Sequence, residues 1–132
     1  MSALIGELPG DVRAESWLPL NALLPQCDGL INHGGSGAVL TALACGVPQL
    51  VLPSGTDRNL NAEAVARRGA GLDAGTADGI SIDLVEALLR DEQLAEAARE
   101  VRAEIAAMPT PTELDGRVAQ LAQGRSGAST AR

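Results

Sequence analysis

The chain has 132 residues, which is enough for one domain with a hydrophobic core but not for two. Its net charge of −7 argues against a nucleic-acid-binding protein and against binding to anionic membranes, because both partners require a basic surface. Apolar residues make up 45% of the chain, and Trp17 is its one aromatic side chain. A core of Leu, Val, Ile and Ala suits helices packed on a parallel sheet.

Strand and helix patterns alternate along the first half of the chain. Short apolar runs without alternation are typical of strands in a sheet that is covered on both faces. Gly46 and Pro48 are stop signals for a helix that begins at Ser36. In chain order, we predict a strand over 12–16, a helical turn over 21–26, a strand over 30–32, a helix over 36–45, a strand over 49–53, a helix over 59–68 and a short edge strand over 71–73.

The second half of the chain is predicted to be helical, because residues that cap helix N-termini precede stretches with apolar side chains at helical spacing. The last of these helices is preceded by a capping box and has proline at its first helical position. We predict helices over 82–90, 92–107 and 111–124, preceded by Ser81, Asp91 and Thr110. Residues 125–132 are small and polar, so we predict one domain over 1–124 followed by a disordered tail.

Strands that alternate with helices predict an α/β fold, with a Rossmann-like parallel sheet and right-handed crossovers. About four strands are present, which is few for a doubly wound sheet, so the predicted sheet is incomplete. Cys27 and Cys45 have no CxxC spacing and are typical of reduced core residues rather than of a disulfide or metal site. The sequence has no apolar run near the ~20 residues of a membrane span and no signal-peptide pattern, which predicts a cytoplasmic protein.

A glycine-rich turn connects the strand over 30–32 with the helix that follows it. The first N–H groups of a helix lack partners within the helix and attract anions, and glycine lets a phosphate approach the backbone closely. A histidine ring and a serine hydroxyl in the same turn can add hydrogen-bond donors. The alternative is that these glycines serve only tight turn geometry, since the turn is neither GxGxxG nor a P-loop. The candidate phosphate-binding residues are His33, Gly34, Gly35, Ser36 and Gly37.

A second polar cluster follows the strand over 49–53, and in a parallel sheet it emerges at the same edge as the glycine turn. Asp57 can accept hydrogen bonds from sugar hydroxyls and Arg58 can donate them, although Asp57 can instead serve only to cap a helix. Trp17, in a loop after the first predicted strand, can stack on a nucleobase. Its alternative is an ordinary, partly buried packing role.

Several short motifs occur in a fixed order in this chain. They are Trp17-Leu18-Pro19-Leu20, His33-Gly34-Gly35-Ser36-Gly37, Gly46-Val47-Pro48-Gln49, Asp57 and Met108-Pro109-Thr110-Pro111-Thr112-Glu113. As a set they resemble the donor-binding, C-terminal half of GT-B glycosyltransferases, most closely the bacterial branch that transfers deoxysugars to antibiotics, which includes the erythromycin-type enzymes. The resemblance covers roughly residues 8 to 123 and extends to the UDP-glycosyltransferases.

The resemblance implies a role for each motif. Trp17 and Leu18 would contact the pyrimidine base, residues 33–37 would hold the diphosphate, and Asp57 would face the donor sugar. Plant relatives carry Glu at the position of Thr41, where it binds ribose hydroxyls, so Thr41 favours a dTDP-sugar over a UDP-sugar. Arg58 stands where glucosyltransferases commonly have Gln, which argues against a glucose donor and makes Arg58 a further candidate sugar contact.

The resemblance also implies an inverting, metal-independent transfer to a small-molecule acceptor such as a polyketide. A helix N-terminus and His33 would stabilise the charge that develops on the departing diphosphate, and no DxD motif or cofactor site is expected. The base that deprotonates the acceptor lies in the N-terminal half of the family, so the isolated chain is expected to bind nucleotide weakly and to transfer no sugar.

Two alternatives to a glycosyltransferase domain remain open from the sequence. The first is a non-catalytic nucleotide-sugar-binding fragment or subunit that pairs with a separate N-terminal half or with a second copy of itself. The second is another sugar-phosphate enzyme, such as an epimerase, for which His33 and Asp57 are the one plausible acid–base pair.

Overall fold

The computed structural model describes residues 8–126, and the chain divides into two compact units between Arg102 and Ala103. The first unit contains a parallel sheet in the order β1-β2-β3, in which Ile31, Leu50 and Leu72 are register partners. Its strands are β1 (Leu30–Asn32), β2 (Gln49–Val51) and β3 (Gly71–Asp73). The predicted α/β class with parallel strands and flanking helices is therefore confirmed.

Residues 8–126 contain six α-helices. They are α1 (Leu20–Leu23), which continues into a 3-10 turn over Leu24–Gln26, α2 (Ser36–Cys45), α3 (Thr56–Arg68), α4 (Ile82–Arg90), α5 (Glu92–Ala106) and α6 (Pro111–Ser126). Gly46 and Gly69 end α2 and α3 with φ angles of 71° and 74°, and both donate their N–H groups back to the last helical carbonyls. Gly46 is the stop signal that the sequence predicted for α2, and Gly69 ends α3 in the same way.

The core of the first unit surrounds β2, all three residues of which are buried. Gln49 and Val51 face the side of the sheet that α2 and α3 cover, and Leu88 of α4 lies against Gly29, just before β1. Two clusters of buried side chains fill the layers; the first is Val39, Val51, Ala62 and Val65, and the second is Leu24, Ala42 and Val47. The apolar strand pattern therefore reflects burial on both faces.

The strand predicted over 12–16 is wrong, because this segment has no strand pairing and every one of its residues is exposed. A strand is stable only when its backbone pairs with a neighbour. Among the described residues, a backbone hydrogen bond from the Val12 N–H to the Pro9 carbonyl forms a turn here. The described sheet therefore has three strands rather than about four.

Two predicted boundaries also differ from the structure. The third helix begins at Thr56 rather than at residue 59, because the chain turns at Gly55, whose φ is +110°, and the Asn59 N–H already bonds to the Gly55 carbonyl. The last helix continues through Gly124 to Ser126, so Arg125 is helical rather than part of a disordered tail. Residues 127–132 of that predicted tail, and residues 1–7 of the predicted domain, lie outside the described residues.

The second unit contains the predicted capping box at the start of α6. The Thr110 N–H and hydroxyl donate to the same Glu113 carboxylate oxygen at 2.7 Å and 2.8 Å, and the Glu113 N–H donates to the Thr110 hydroxyl at 3.3 Å. These bonds satisfy donors that the helix end leaves without partners. Within residues 8–126, no helix is long and apolar enough to cross a membrane.

The capping box predicts how the start of α6 responds to acid. Hydrogen bonds from the Thr110 backbone and then from its hydroxyl lower the pKa of Glu113 below 4.5. The stabilisation is therefore fully present above about pH 4.5 and is lost as the pH falls through the lowered, folded-state pKa. An NMR titration should show Thr110→Ala raising the pKa of Glu113 and Thr112→Ala leaving it unchanged. Equal pKa values in the two variants would contradict the role of Thr110.

Candidate functional site

The glycine turn and the second polar cluster meet at one edge of the sheet. β1 ends at Asn32 and β2 ends at Val51, and parallel strands place these carboxyl ends side by side. A Cβ atom built on Gly34 would lie 2.9 Å from the Arg58 carbonyl oxygen and 3.1 Å from Val51 Cγ1. The backbone of the glycine turn therefore packs directly on the first turn of α3.

Gly34 is held by side chains on both of its polar groups. Its N–H donates to Asn32 Oδ1 at 2.8 Å, and its carbonyl accepts from Asn61 Nδ2 at 2.8 Å. Its φ of +85° belongs to the left-handed region that favours glycine. The Gly34 N–H is thus engaged with Asn32, and the phosphate role predicted for Gly34 stays a prediction.

The N-terminus of α2 supplies the unpaired backbone donors of the site. Gly35 is the N-cap residue and no side chain caps the helix, so the N–H groups of Ser36, Gly37 and Ala38 have no partner within the helix. Ser36 and Gly37 are exposed. The Ser36 hydroxyl oxygen accepts from Asn61 Nδ2 at 3.2 Å, which leaves its proton available to another acceptor.

His33 is exposed and its ring lies over Gly35. A Cβ atom on Gly35 would be only 2.7 Å from His33 Nε2, so a larger residue at position 35 would displace the ring. This arrangement places an imidazole nitrogen beside the first donors of α2. Thr41 is half-buried and lies one helical turn after Gly37 on α2. Its hydroxyl donates to the Gly37 carbonyl at 2.7 Å.

Asp57 and Arg58 are in the first turn of α3, whereas the sequence predicted them in the loop before this helix. The Asp57 side chain is exposed, and its negative charge is favourable at a helix N-terminus. Arg58 Nη1 donates to the Ser54 carbonyl at 2.9 Å, which holds the guanidinium beside the loop that precedes α3. Both residues lie next to the glycine turn, while their sugar-binding roles stay predictions.

Trp17 and Leu18 lie in the irregular segment before α1. Trp17 is 78% exposed in this structure. The close approaches and hydrogen bonds that join the glycine turn to Arg58 and Asn61 include neither Trp17 nor Leu18. Base binding by this pair stays a prediction.

The sequence did not predict a role at the turn for three amide side chains, those of Asn32, Gln49 and Asn61. Asn32 Nδ2 donates to Gln49 Oε1 at 2.9 Å, and Gln49 Nε2 donates to the Val39 carbonyl at 3.4 Å. Gln49 has no exposed surface, and a polar side chain in a buried strand was the available signal. Asn61 gave no such signal. In residues 8–126, His, Cys, Asp and Glu side chains form no group of three that could hold a metal ion.

The chain matches the family described as "Erythromycin biosynthesis protein CIII-like, C-terminal domain" over residues 1–121, and it belongs to this family. It is 46% identical over 114 residues to the elloramycin glycosyltransferase ElmGT of Streptomyces olivaceus, with 86% of this chain and 29% of the relative covered. It is 34% identical over 124 residues to the 3-alpha-mycarosylerythronolide B desosaminyl transferase of Saccharopolyspora erythraea, with 92% and 30% covered.

Solved structures of antibiotic glycosyltransferases have the same fold. The glycosyltransferase SnogD from Streptomyces nogalater is similar with a TM-score of 0.78 and 46% identity, over 91% of this chain and 32% of that one. The glycosyltransferase VinC, solved in complex with dTDP, has a TM-score of 0.83 and 36% identity, over 92% and 31%. The chain therefore has the fold of a GT-B glycosyltransferase C-terminal domain and spans about three tenths of the length of these relatives. These relatives are transferases, and none of them supports the epimerase alternative.

The left-handed backbone at Gly34 predicts a large cost for any side chain there. Gly34→Ala places a Cβ atom against the Arg58 carbonyl in a strained backbone conformation, and should lower the free energy of unfolding by about 2–4 kcal/mol. Gly37→Ala is the control, because nothing lies within 4 Å of its Cβ position. Urea unfolding of both variants checks this, and equal stability of Gly34→Ala and wild type would contradict it.

Proposed function

We propose that this chain binds the nucleotide-sugar donor of an antibiotic-type glycosyltransferase, and that the glycine turn holds the diphosphate of that donor. The observation that carries the proposal is the row of N–H groups without helical partners at the start of α2, next to the His33 ring. Backbone donors at a helix N-terminus form an anion site whatever the net charge of the protein.

The same groups explain how the site would promote transfer. Negative charge develops on the diphosphate as the bond between the sugar and the phosphate breaks. The N–H groups of residues 35–38, the Ser36 hydroxyl and a ring N–H of His33 are fixed donors that would stabilise this charge. The proposed reaction inverts the sugar carbon and needs no metal or other cofactor.

A dTDP-sugar is proposed in preference to a UDP-sugar. The Thr41 hydroxyl donates its proton to the Gly37 carbonyl, so Thr41 has a single oxygen left to accept a hydrogen bond from a ribose hydroxyl. A carboxylate at this position would accept hydrogen bonds from two ribose hydroxyls, and deoxyribose lacks one of them. That the related VinC was solved with dTDP supports the same preference.

The remaining contacts are assigned by position. Asp57 and Arg58, at the start of α3 beside the turn, are proposed to bind the donor sugar. Trp17 is proposed to stack on the pyrimidine with Leu18 beside it, because an exposed tryptophan offers its ring face to a ligand.

The acceptor and the acceptor-side base are proposed to belong to the part of the relatives that this chain does not cover. The acceptor would be a small molecule such as a polyketide, and the chain would act together with an N-terminal domain. A homodimer is the alternative arrangement, and a mass measurement in solution distinguishes it. The isolated chain is expected to bind nucleotide weakly and to transfer no sugar.

Calorimetric titration of the chain with dTDP, UDP and GDP tests the diphosphate site. We expect dTDP to bind most tightly, and His33→Ala to weaken dTDP binding about tenfold, because a hydrogen bond to a charged group is lost. Thymidine is the control ligand, because it lacks phosphate and its affinity should not depend on His33. Identical heats for dTDP in wild type and variant would contradict the phosphate role of His33.

Substitution of Thr41 tests the preference between the two nucleotides. Thr41→Glu should raise the affinity for UDP relative to dTDP about tenfold, since the new carboxylate accepts from both ribose hydroxyls. Thr41→Val keeps the shape of the side chain and should leave the ratio of the two dissociation constants unchanged. An unchanged ratio in Thr41→Glu would place the ribose elsewhere.

A further inference from the structure

The orientation of the Gly34–Gly35 peptide group depends on a side chain that belongs to another helix. Asn61, on α3, donates from Nδ2 to the Gly34 carbonyl oxygen at 2.8 Å. In a planar trans peptide the carbonyl and the next N–H point in opposite directions. Asn61 therefore directs the Gly35 N–H away from α3.

The same amide also sets the direction of the Ser36 hydroxyl. Asn61 Nδ2 lies 3.2 Å from Ser36 Oγ and donates to it, so the hydroxyl proton must point to a different acceptor. One half-buried side chain thus fixes the direction of two neighbouring donors, the Gly35 N–H and the Ser36 O–H.

The other side of the turn is held by the pair Asn32 and Gln49. Gln49 Oε1 accepts from Asn32 Nδ2, which leaves Asn32 Oδ1 facing the Gly34 N–H. Gln49 is fully buried, and an amide without partners at that depth would be costly. The Gln49 side chain fits because residue 71 is a glycine: a Cβ atom there would lie 3.0 Å from Gln49 Cγ.

We propose that Asn61 is a positioning residue for diphosphate binding, and that Asn32 and Gln49 complete the frame that holds the turn. The proposal rests on the function proposed above. Asn61 acts through the Gly35 N–H and the Ser36 hydroxyl, and its loss lets the Gly34–Gly35 peptide rotate. The affinity for a nucleoside diphosphate then falls, while the affinity for the nucleoside alone does not.

The test uses the full 132-residue chain, labelled with ¹⁵N and titrated with dTDP and with thymidine up to millimolar concentration. Asn61→Ala removes the donor, and Asn61→Leu does so with little change in volume, so that one variant remains if the other fails to fold. Gln26→Ala is the matched control, because it also removes an amide that donates to a backbone carbonyl, that of Ala22. Thermal unfolding is measured for every variant.

In both Asn61 variants the dissociation constant for dTDP should rise about tenfold, and the resonance of the Gly35 N–H should shift before ligand is added. Gln26→Ala should bind dTDP as the wild type does. Wild-type affinity in the Asn61 variants would overturn the positioning role. So would an equal loss of dTDP and thymidine binding with a lowered unfolding temperature, since that pattern indicates a general structural role.

The two proposals fail in different ways. If dTDP causes no shift in the wild-type spectrum, the proposed function is wrong and the positioning role falls with it. If dTDP shifts the Gly35 and Ser36 resonances of the wild type but binds the Asn61 variants equally well, the diphosphate site stands and only the role of Asn61 is wrong.

Discussion

Parallel pairing of β1 with β2 determines where the candidate binding residues lie. Because both strands run in the same direction, the turn after Asn32 and the loop after Val51 leave the sheet at one edge. The helices that follow, α2 and α3, begin there with their N-termini close together. Strand pairing thus brings backbone donors, the His33 ring and the start of α3 into one region, although they are far apart in sequence.

A net charge of −7 is compatible with an anionic ligand because the proposed donors are backbone groups. In 0.1 M salt, exposed charges that are more than about 10 Å apart are largely screened from one another. A phosphate at the start of α2 responds mainly to the nearest dipoles and donors. The acidic residues that cap helices elsewhere, such as Glu113 on α6, have separate local roles.

Local patterns in the sequence predicted much of this fold, because strand burial and helix capping depend on neighbouring residues. The start of α2 at Ser36, its end before Gly46 and the capping box at Thr110 are all as predicted. The prediction of a strand over 12–16 was wrong because strand formation depends on distant residues. A strand requires a pairing partner, and the sequence of the segment does not specify one. The hydrogen bond from Asn61 to Gly34 was not predictable either, because it joins residues 27 positions apart, one on α3 and the other in the turn before α2.

Gly34 is held at its N–H by Asn32 and at its carbonyl by Asn61, and this has a consequence for the thermodynamics of binding. Ordering one residue costs about 1–2 kcal/mol of backbone entropy, and a flexible loop would incur that cost when its ligand arrives. Here the cost is incurred when the domain folds. The ligand then binds to a turn that is already ordered. Less of the free energy of its hydrogen bonds to the backbone is lost to ordering the turn, and more of it contributes to affinity.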